Sequence, residues 1–302
     1  MNNVLTLIAD PAAADLDDST VAAARAALSA LGAETDAPDW LAPGIACDIR
    51  FDGLDCDQAD AALHAALPER PADMITQPLA NRRKRLLVAD MESTIIRQEM
   101  LDELADLVGL KELIAGITYR AMNGEIDFKD ALRERVALLK DLPVGSLDEV
   151  YGRVTLMPGA CELVATMKAS GAYCVLVSGG FKFFTTRVRE IVGFDEDQAN
   201  DFEIIDGKLS GHPIEPILDK DAKVAALLRV AGAQRTPLRE TIAVGDGAND
   251  LPMLQSAGLG VAFHAKPVVA TQARARVERS DLTALLYAQG YRVEDITDGK
   301  RG

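Results

Sequence analysis

Histidine and cysteine are scarce. Three histidines and four cysteines are scattered through 302 residues, and no two cysteines form a C-x-x-C pair. Zinc sites draw on clustered thiolates and imidazoles, so no zinc pattern is present. Cys47, Cys56, Cys161 and Cys174 are expected to be reduced core or surface thiols of a cytoplasmic protein, because disulfides persist in oxidising compartments. No apolar run approaches the roughly 18 residues of a membrane span. The N-terminal MNNVLTLIAD lacks a basic start and its apolar stretch ends at Asp10, so it does not read as a signal peptide. Basic residues are also few: 32 Lys and Arg face 47 Asp and Glu, a net charge of −15. Nucleic-acid backbones need basic stripes, which this balance argues against. An anionic small molecule at a local site stays compatible with it.

Apolar residues make up 48% of the chain, enough for a sizeable core, and the length favours two domains or one with an insertion. A break falls near residues 78–85. Before it, Val4–Ala9 reads as a strand and Thr20–Leu31 as an Ala-rich amphipathic helix. A short strand near Glu34–Asp36, a strand at Ile45–Phe51, a helix at Asp57–Leu67 and a strand at Met74–Gln77 follow. This βαββαβ order suggests a ferredoxin-like sandwich. The basic run Arg82–Arg85 reads as a solvated linker just before a strand.

Beyond the break, strands and helices alternate. Arg85–Asp90 is a strand, Glu162–Ala169 a helix, Tyr173–Val177 a strand and Lys182–Val192 a helix. Phe202–Leu209 reads as a hairpin turning at Asp206-Gly207. Ala222–Val230 is a helix, Thr241–Val244 a strand, Asp250–Ser256 a helix and Leu259–Ala262 a strand. Such alternation means a parallel sheet covered on both faces. The stretch from Ile95 to Pro158 reads as several helices, too many for one crossover, and is expected to be an inserted helical cap.

Four polar clusters adjoin core elements. Asp90-Met-Glu92-Ser-Thr94 ends the first strand after the break. Ser178-Gly179-Gly180 ends YCVLV, Lys223 opens the Ala222–Val230 helix, and Asp246-Gly-Ala-Asn249-Asp250 ends TIAV. In an open parallel sheet, loops at the strands' carboxyl ends converge on one crevice. Carboxylates gathered there repel unless a cation joins them, and oxygen-only ligands suit Mg²⁺. A lysine and a serine beside that ion make a site for a phosphoryl group. Asp90 and Glu92, two apart on an extended chain, point to the same face. One acid can attack phosphorus, giving an aspartyl phosphate. The other can protonate the leaving oxygen and then deprotonate the hydrolytic water. Singly, each cluster has a plainer reading as a helix cap, a turn or a solvated lysine. Their order and shared placement at strand ends single out a site.

DMESTII, VSGGF, DAKVAALL and GDGANDLPML closely resemble the four motifs of the haloacid dehalogenase-like phosphatases. ITYRAMNGEIDFKDALRERVALL, Ile117 to Leu139, resembles the cap of the phosphoserine phosphatase branch of that family. The resemblance spans roughly Arg85 to Pro267. It implies a Rossmann-like α/β sheet over residues 81–302 with a helical cap at about 96–157. Residues 1–80 before it resemble a small α+β ACT-like domain, which would bind an amino acid, mediate dimerisation or only pack.

The activity implied is Mg²⁺-dependent hydrolysis of O-phospho-L-serine to L-serine and phosphate, the last step of serine biosynthesis. Carried over by motif, Asp90 would be the nucleophile and Glu92 the proton shuttle. Asp90, the Glu92 main-chain carbonyl and Asp246 would hold the metal, oriented by Asn249 and Asp250. Ser178, Gly179 and Lys223 would bind phosphate. Glu99 would receive the substrate ammonium, Arg135 its carboxylate, and Met122 and Phe128 would line the pocket. Helical spacing independently puts Phe128, Leu132, Arg135 and Leu139 on one face, with Arg133 turned away. Lys220 competes with Lys223, and the Asp-Ala-Lys match favours Lys223.

One departure stands out: Glu92 occupies a position where the family normally has Asp. A carboxyl about an ångström further out puts turnover in question, since misplacement on that scale can cost about 10²-fold. Two other readings are a phosphatase or phosphotransferase acting on another small phospho-compound, and a non-catalytic amino-acid sensor.

Overall fold

The computed structural model describes residues 1–68 and 72–299. The chain divides into two compact units. One comprises residues 1–85, 158–172 and 275 onward, the other residues 86–157 and 173–274. Among the described residues no helix is long and apolar enough to cross a membrane. None of the four cysteines is in a disulfide.

The first unit begins with β1 (Asn3–Ile8), α1 (Asp18–Ala30), β2 (Glu34–Thr35), β3 (Asp39–Ala42), β4 (Ala46–Asp52), α2 (Cys56–Ala66) and β5 (Asp73–Pro78). The sheet order is β2-β4-β1-β5, with β3 also paired to β4, and β1 is antiparallel to both of its neighbours. This is the ferredoxin-like arrangement that the element order suggests. Alternate residues Leu5, Leu7, Cys47, Ile49 and Phe51 point to one face and pack against Val21, Ala24 and Leu28 of α1 and Ala59 and Leu63 of α2. Asp17 caps α1 by accepting from the Thr20 N–H, and Asp55 and Gln58 form a capping box on α2. Strand β3 is absent from the sequence reading. Pro38 and Pro43 flank it, and prolines read as breaks, yet pairing to β4 holds it extended.

The reading of Arg82–Arg85 as a solvated linker is corrected for two of its members. Arg82 is 9% and Lys84 5% exposed. Arg82 grips Asp48 with two bonds of 2.6 and 2.7 Å, and donates to Thr6 Oγ1 and to the Tyr287 and Ala288 carbonyls. Asp48 sits on the sheet face opposite the core just described. A buried carboxylate needs a cation, and the chain supplies it from just after β5.

The second unit opens with β6 (Leu86–Ala89). The cap follows as α3 (Met100–Leu107), α4 (Lys111–Met122), α5 (Phe128–Ala137) and α6 (Gly145–Tyr151). Its entry and exit run side by side, through an Ile96–Leu156 bridge and a Met157 N–H bonded to the Ile95 carbonyl at 2.8 Å. Helix α7 (Ala160–Ala169) belongs to the first unit. The second unit resumes with β7 (Tyr173–Phe181), α8 (Lys182–Val192) and β8 (Glu196–Asn200). The hairpin β9 (Phe202–Ile205) and β10 (Lys208–Pro213) comes next. Then follow α9 (Lys220–Ala233), β11 (Thr241–Gly245), α10 (Leu251–Ser256) and β12 (Leu259–Phe263). The hairpin turns at Asp206 and Gly207, both at positive φ, as the sequence indicates.

Within this unit the strands run β12-β11-β6-β7-β8, all parallel. Strands β6 and β11 are buried throughout, as parallel strands covered on both faces must be. The chain moves from β6 outward through β7 to β8, then returns to place β11 on the other side of β6. The order therefore reverses between β6 and β11, and ligands of such sheets bind outside the carboxyl ends of strands at that point. Asp90 follows one of these strands and Asp246 the other.

Candidate active site

The carboxylates of Asp90, Asp246 and Asp250 converge, with ligand atoms within 4.8 Å of one another, and all three are buried. The Asp90 N–H bonds to the Val244 carbonyl at 3.0 Å, which fixes the two loops side by side. Lys223, in the first turn of α9 and only 2% exposed, donates to Asp90 Oδ1 at 2.6 Å and to Asp250 Oδ1 at 2.5 Å. Lys220 is exposed, so geometry separates the two lysines. Burial alone would lower the Lys223 ammonium's pKa; Asp250 and Asp90 outweigh it and hold the pKa above the usual lysine range. Asp90 is pushed up to about 7, first by burial and then by Asp250, against the pull of Lys223. Burial, with Glu99, Asp90 and Asp250 around it, raises Asp246 well above the carboxylate range.

One ammonium does not neutralise three carboxylates. Neither oxygen of Asp246 has a hydrogen-bond partner, nor does Asn249 Oδ1. Lys266 Nζ stands 3.6 Å from Asp246 Oδ2, an ion-pair distance rather than a hydrogen bond. Buried oxygens without donors, facing excess negative charge, fit a hard divalent cation. Asp250 has a different part: besides Lys223, it accepts from the Gly247 N–H at 3.0 Å and so braces the loop.

The Ser178–Gly180 segment is strand, not a turn. β7 continues to Phe181, with a register shift against β8 between Val177 and Phe181. The shift behaves as a bulge and re-aims the backbone. Ser178 Oγ accepts from the Gly180 N–H at 2.9 Å, and Asn200 Nδ2 holds the Gly179 carbonyl at 2.8 Å. Both glycines are closely covered. A Cβ on Gly179 would meet the Phe128 ring at 2.6 Å, and one on Gly180 would meet Glu92 Oε2 at 2.6 Å.

A cavity opens beside this cluster, and Asp90, Glu92, Glu99, Phe128, Arg135 and Asn249 are among the residues that line it. Glu92 Oε1 accepts from the Met100 N–H at 2.8 Å. Burial and then the Glu99 charge push Glu92 up to about 8. Glu99 accepts from Ser93 Oγ at 2.7 Å, and burial raises its pKa as well. Ser93 has φ +56°, an uncommon conformation for a residue with a side chain. Arg135 is 5% exposed, while Arg133 faces outward to Glu215, as helical spacing requires. No carboxylate oxygen among the described residues lies within 4.0 Å of the Arg135 guanidinium. It donates from Nε to the Ala131 carbonyl at 3.2 Å and from Nη1 to Thr118 Oγ1 at 3.0 Å. The side chain of Met122 lies outside the described residues.

Sequence reasoning missed Asn200, Lys266, Thr118 and Asp102. Lys266 carried a legible signal, since it lies just past the carboxyl end of a buried strand. Asn200 carried none, because EDQAN has no apolar pattern. Thr118 and Asp102 gain their meaning only through the Arg135 contact.

Residues 87–255 match the family described as haloacid dehalogenase-like hydrolase. The chain belongs to that family and is a hydrolase. It is 47% identical over 208 residues to the phosphoserine phosphatase of Polaromonas sp., covering 67% of this chain and 88% of the relative. With the phosphoserine phosphatase of Streptomyces coelicolor it shares 37% over 298 residues, 97% of this chain and 72% of the relative. Among solved structures it resembles a phospho-aspartyl intermediate analogue of phosphoserine phosphatase. The TM-score is 0.66 at 38% identity, covering 68% of this chain and 98% of that one.

Proposed function

We propose that this hydrolase converts O-phospho-L-serine to L-serine and inorganic phosphate through a phospho-Asp90 intermediate. The observation that carries the substrate assignment is Arg135. It is a cation buried in the same cavity as Asp90, and among the described residues its side-chain hydrogen bonds go to the Ala131 carbonyl and Thr118 Oγ1 and none to a carboxylate. A buried guanidinium needs an anion, and its fork fits a carboxylate. Glu99, across the same cavity, suits an ammonium, so together they match the two charges of an amino acid. The names of the relatives agree.

In the first step an Asp90 oxygen attacks phosphorus and the P–O bond to the serine oxygen breaks. Glu92, protonated by its buried setting, gives its proton to the departing oxygen. In the second step the Glu92 carboxylate takes a proton from water, whose oxygen attacks the phosphoryl group. Phosphate leaves and Asp90 is restored. Lys223 and the backbone at Gly179 hold the phosphoryl oxygens, with Ser178 beside them. Asp90, the Glu92 carbonyl and Asp246 would hold Mg²⁺, oriented by Asn249 and Asp250. When bound, that ion would supply positive charge against the repulsion between nucleophile and phosphoryl group. Phe128 closes the pocket from the cap. We take residues 1–80 as an ACT-like module, on the support of the order β5-β1-β4-β2.

Phosphate release from O-phospho-L-serine, with and without Mg²⁺, tests this on the wild type and on Asp90→Asn. The expected result is Mg²⁺-dependent release that the variant loses. Full activity in Asp90→Asn would remove the covalent step.

A further inference from the structure

Arg135 is approached by a hydroxyl rather than by an acid. Thr118, on α4, accepts from Arg135 Nη1 at 3.0 Å and donates its single proton to Asp102 Oδ1, on α3, at 2.8 Å. Thr118 is 5% exposed and makes no other side-chain hydrogen bond among the described residues. Asp102 is half-buried, and burial raises its pKa. Three successive cap helices thus present one chain, carboxylate to hydroxyl to guanidinium.

The order of donors matters. A hydroxyl has one proton and two lone pairs. Asp102 accepts that proton, so a lone pair is left for the guanidinium and the hydroxyl is polarised toward it. A carboxylate paired directly with Arg135 would fill the fork and cancel the charge an incoming anion needs. A hydroxyl holds one prong and leaves the charge intact, and Nη2 donates to no group among the described residues.

We propose that Thr118 and Asp102 are positioning residues that aim Arg135 at the substrate carboxylate and keep it unpaired until substrate arrives. This rests on the reading of Arg135 as the carboxylate receptor. The alternative is that the three side chains only tie α3, α4 and α5 together. Such a tie would affect all substrates alike.

Steady-state kinetics with O-phospho-L-serine and with O-phosphoethanolamine, the same amine without the carboxylate, separates the two. Thr118→Val keeps the shape and removes the hydroxyl. It should raise KM for O-phospho-L-serine about tenfold, leaving kcat and the kcat/KM for O-phosphoethanolamine within about twofold. Thr118→Ser, which restores the hydroxyl, should behave as wild type on both substrates. Equal effects of Thr118→Val on the two substrates, or none, would overturn the proposal. Arg135→Ala is measured in parallel. If it is selective for the carboxylate substrate while Thr118→Val is not, only the positioning role fails. If it affects both substrates equally, the receptor reading fails with it.

Discussion

Glu92 Oε1 accepts a hydrogen bond from the backbone N–H of Met100, the first residue of α3, at 2.8 Å. The longer acid thus reaches the start of a cap helix, with its other oxygen against Gly180. The extra methylene is used, not merely accommodated. Glu92→Asp should lose the Met100 contact and lower kcat by about 10²-fold, the cost of misplacing a catalytic group by an ångström. Divalent-cation binding by calorimetry should stay unchanged, because the proposed ligand there is the main-chain carbonyl. A variant as fast as wild type would show that the Met100 bond does not position the acid.

Asp246 offers a test of the metal assignment that does not depend on turnover. Both its oxygens are buried and without hydrogen bonds. Asp246→Asn removes a buried carboxyl that the folded protein accommodates at a cost when no cation is present, since its surroundings oppose ionisation. Thermal unfolding in chelator should therefore shift upward in the variant, while the stabilisation that added Mg²⁺ gives the wild type should disappear. A wild type whose unfolding temperature ignores Mg²⁺ would count against the site.

Phe128 lies over Gly179 so closely that a methyl group has no room: the ring would stand 2.6 Å from it. Gly179→Ala should lower kcat/KM by about tenfold or more by pushing the cap residue off the Ser178–Gly180 segment of β7. Adding Phe128→Leu should return part of that loss. If the double variant is no better than Gly179→Ala, the damage lies in the strand backbone and not under the ring.

The Arg82–Asp48 pair should be among the more sensitive positions for stability. Arg82→Ala leaves Asp48 buried without its cation, which should cost about 3–5 kcal/mol. Urea unfolding followed at Trp40, which packs against the first unit's core, would read this directly. A change below about 1 kcal/mol would mean that water reaches Asp48 once Arg82 is gone.

Local patterns carried the strands that bear the site. Leu86–Ala89 and Thr241–Gly245 are apolar runs ending in acids, and a parallel sheet brings such ends together, so Asp90, Lys223, Asp246 and Asp250 were legible as a group. Helical spacing separated Arg135 from Arg133. The hairpin at Asp206-Gly207 was legible because both turn positions require positive φ, which those residues tolerate.

What the sequence determined by itself is therefore what depends on neighbours a few residues apart: the βαββαβ order, the alternating second half and the motif residues at strand ends. Tertiary structure decided what depends on partners far along the chain. It turned Arg82 from a linker charge into a buried partner of Asp48, and it extended β7 through Ser178-Gly-Gly by pairing with β8. It also enlisted Asn200 and set Thr118 between Asp102 and Arg135. Burial and hydrogen bonding at these positions are properties of a packed neighbourhood, and no periodicity along the chain encodes which distant group will fill it.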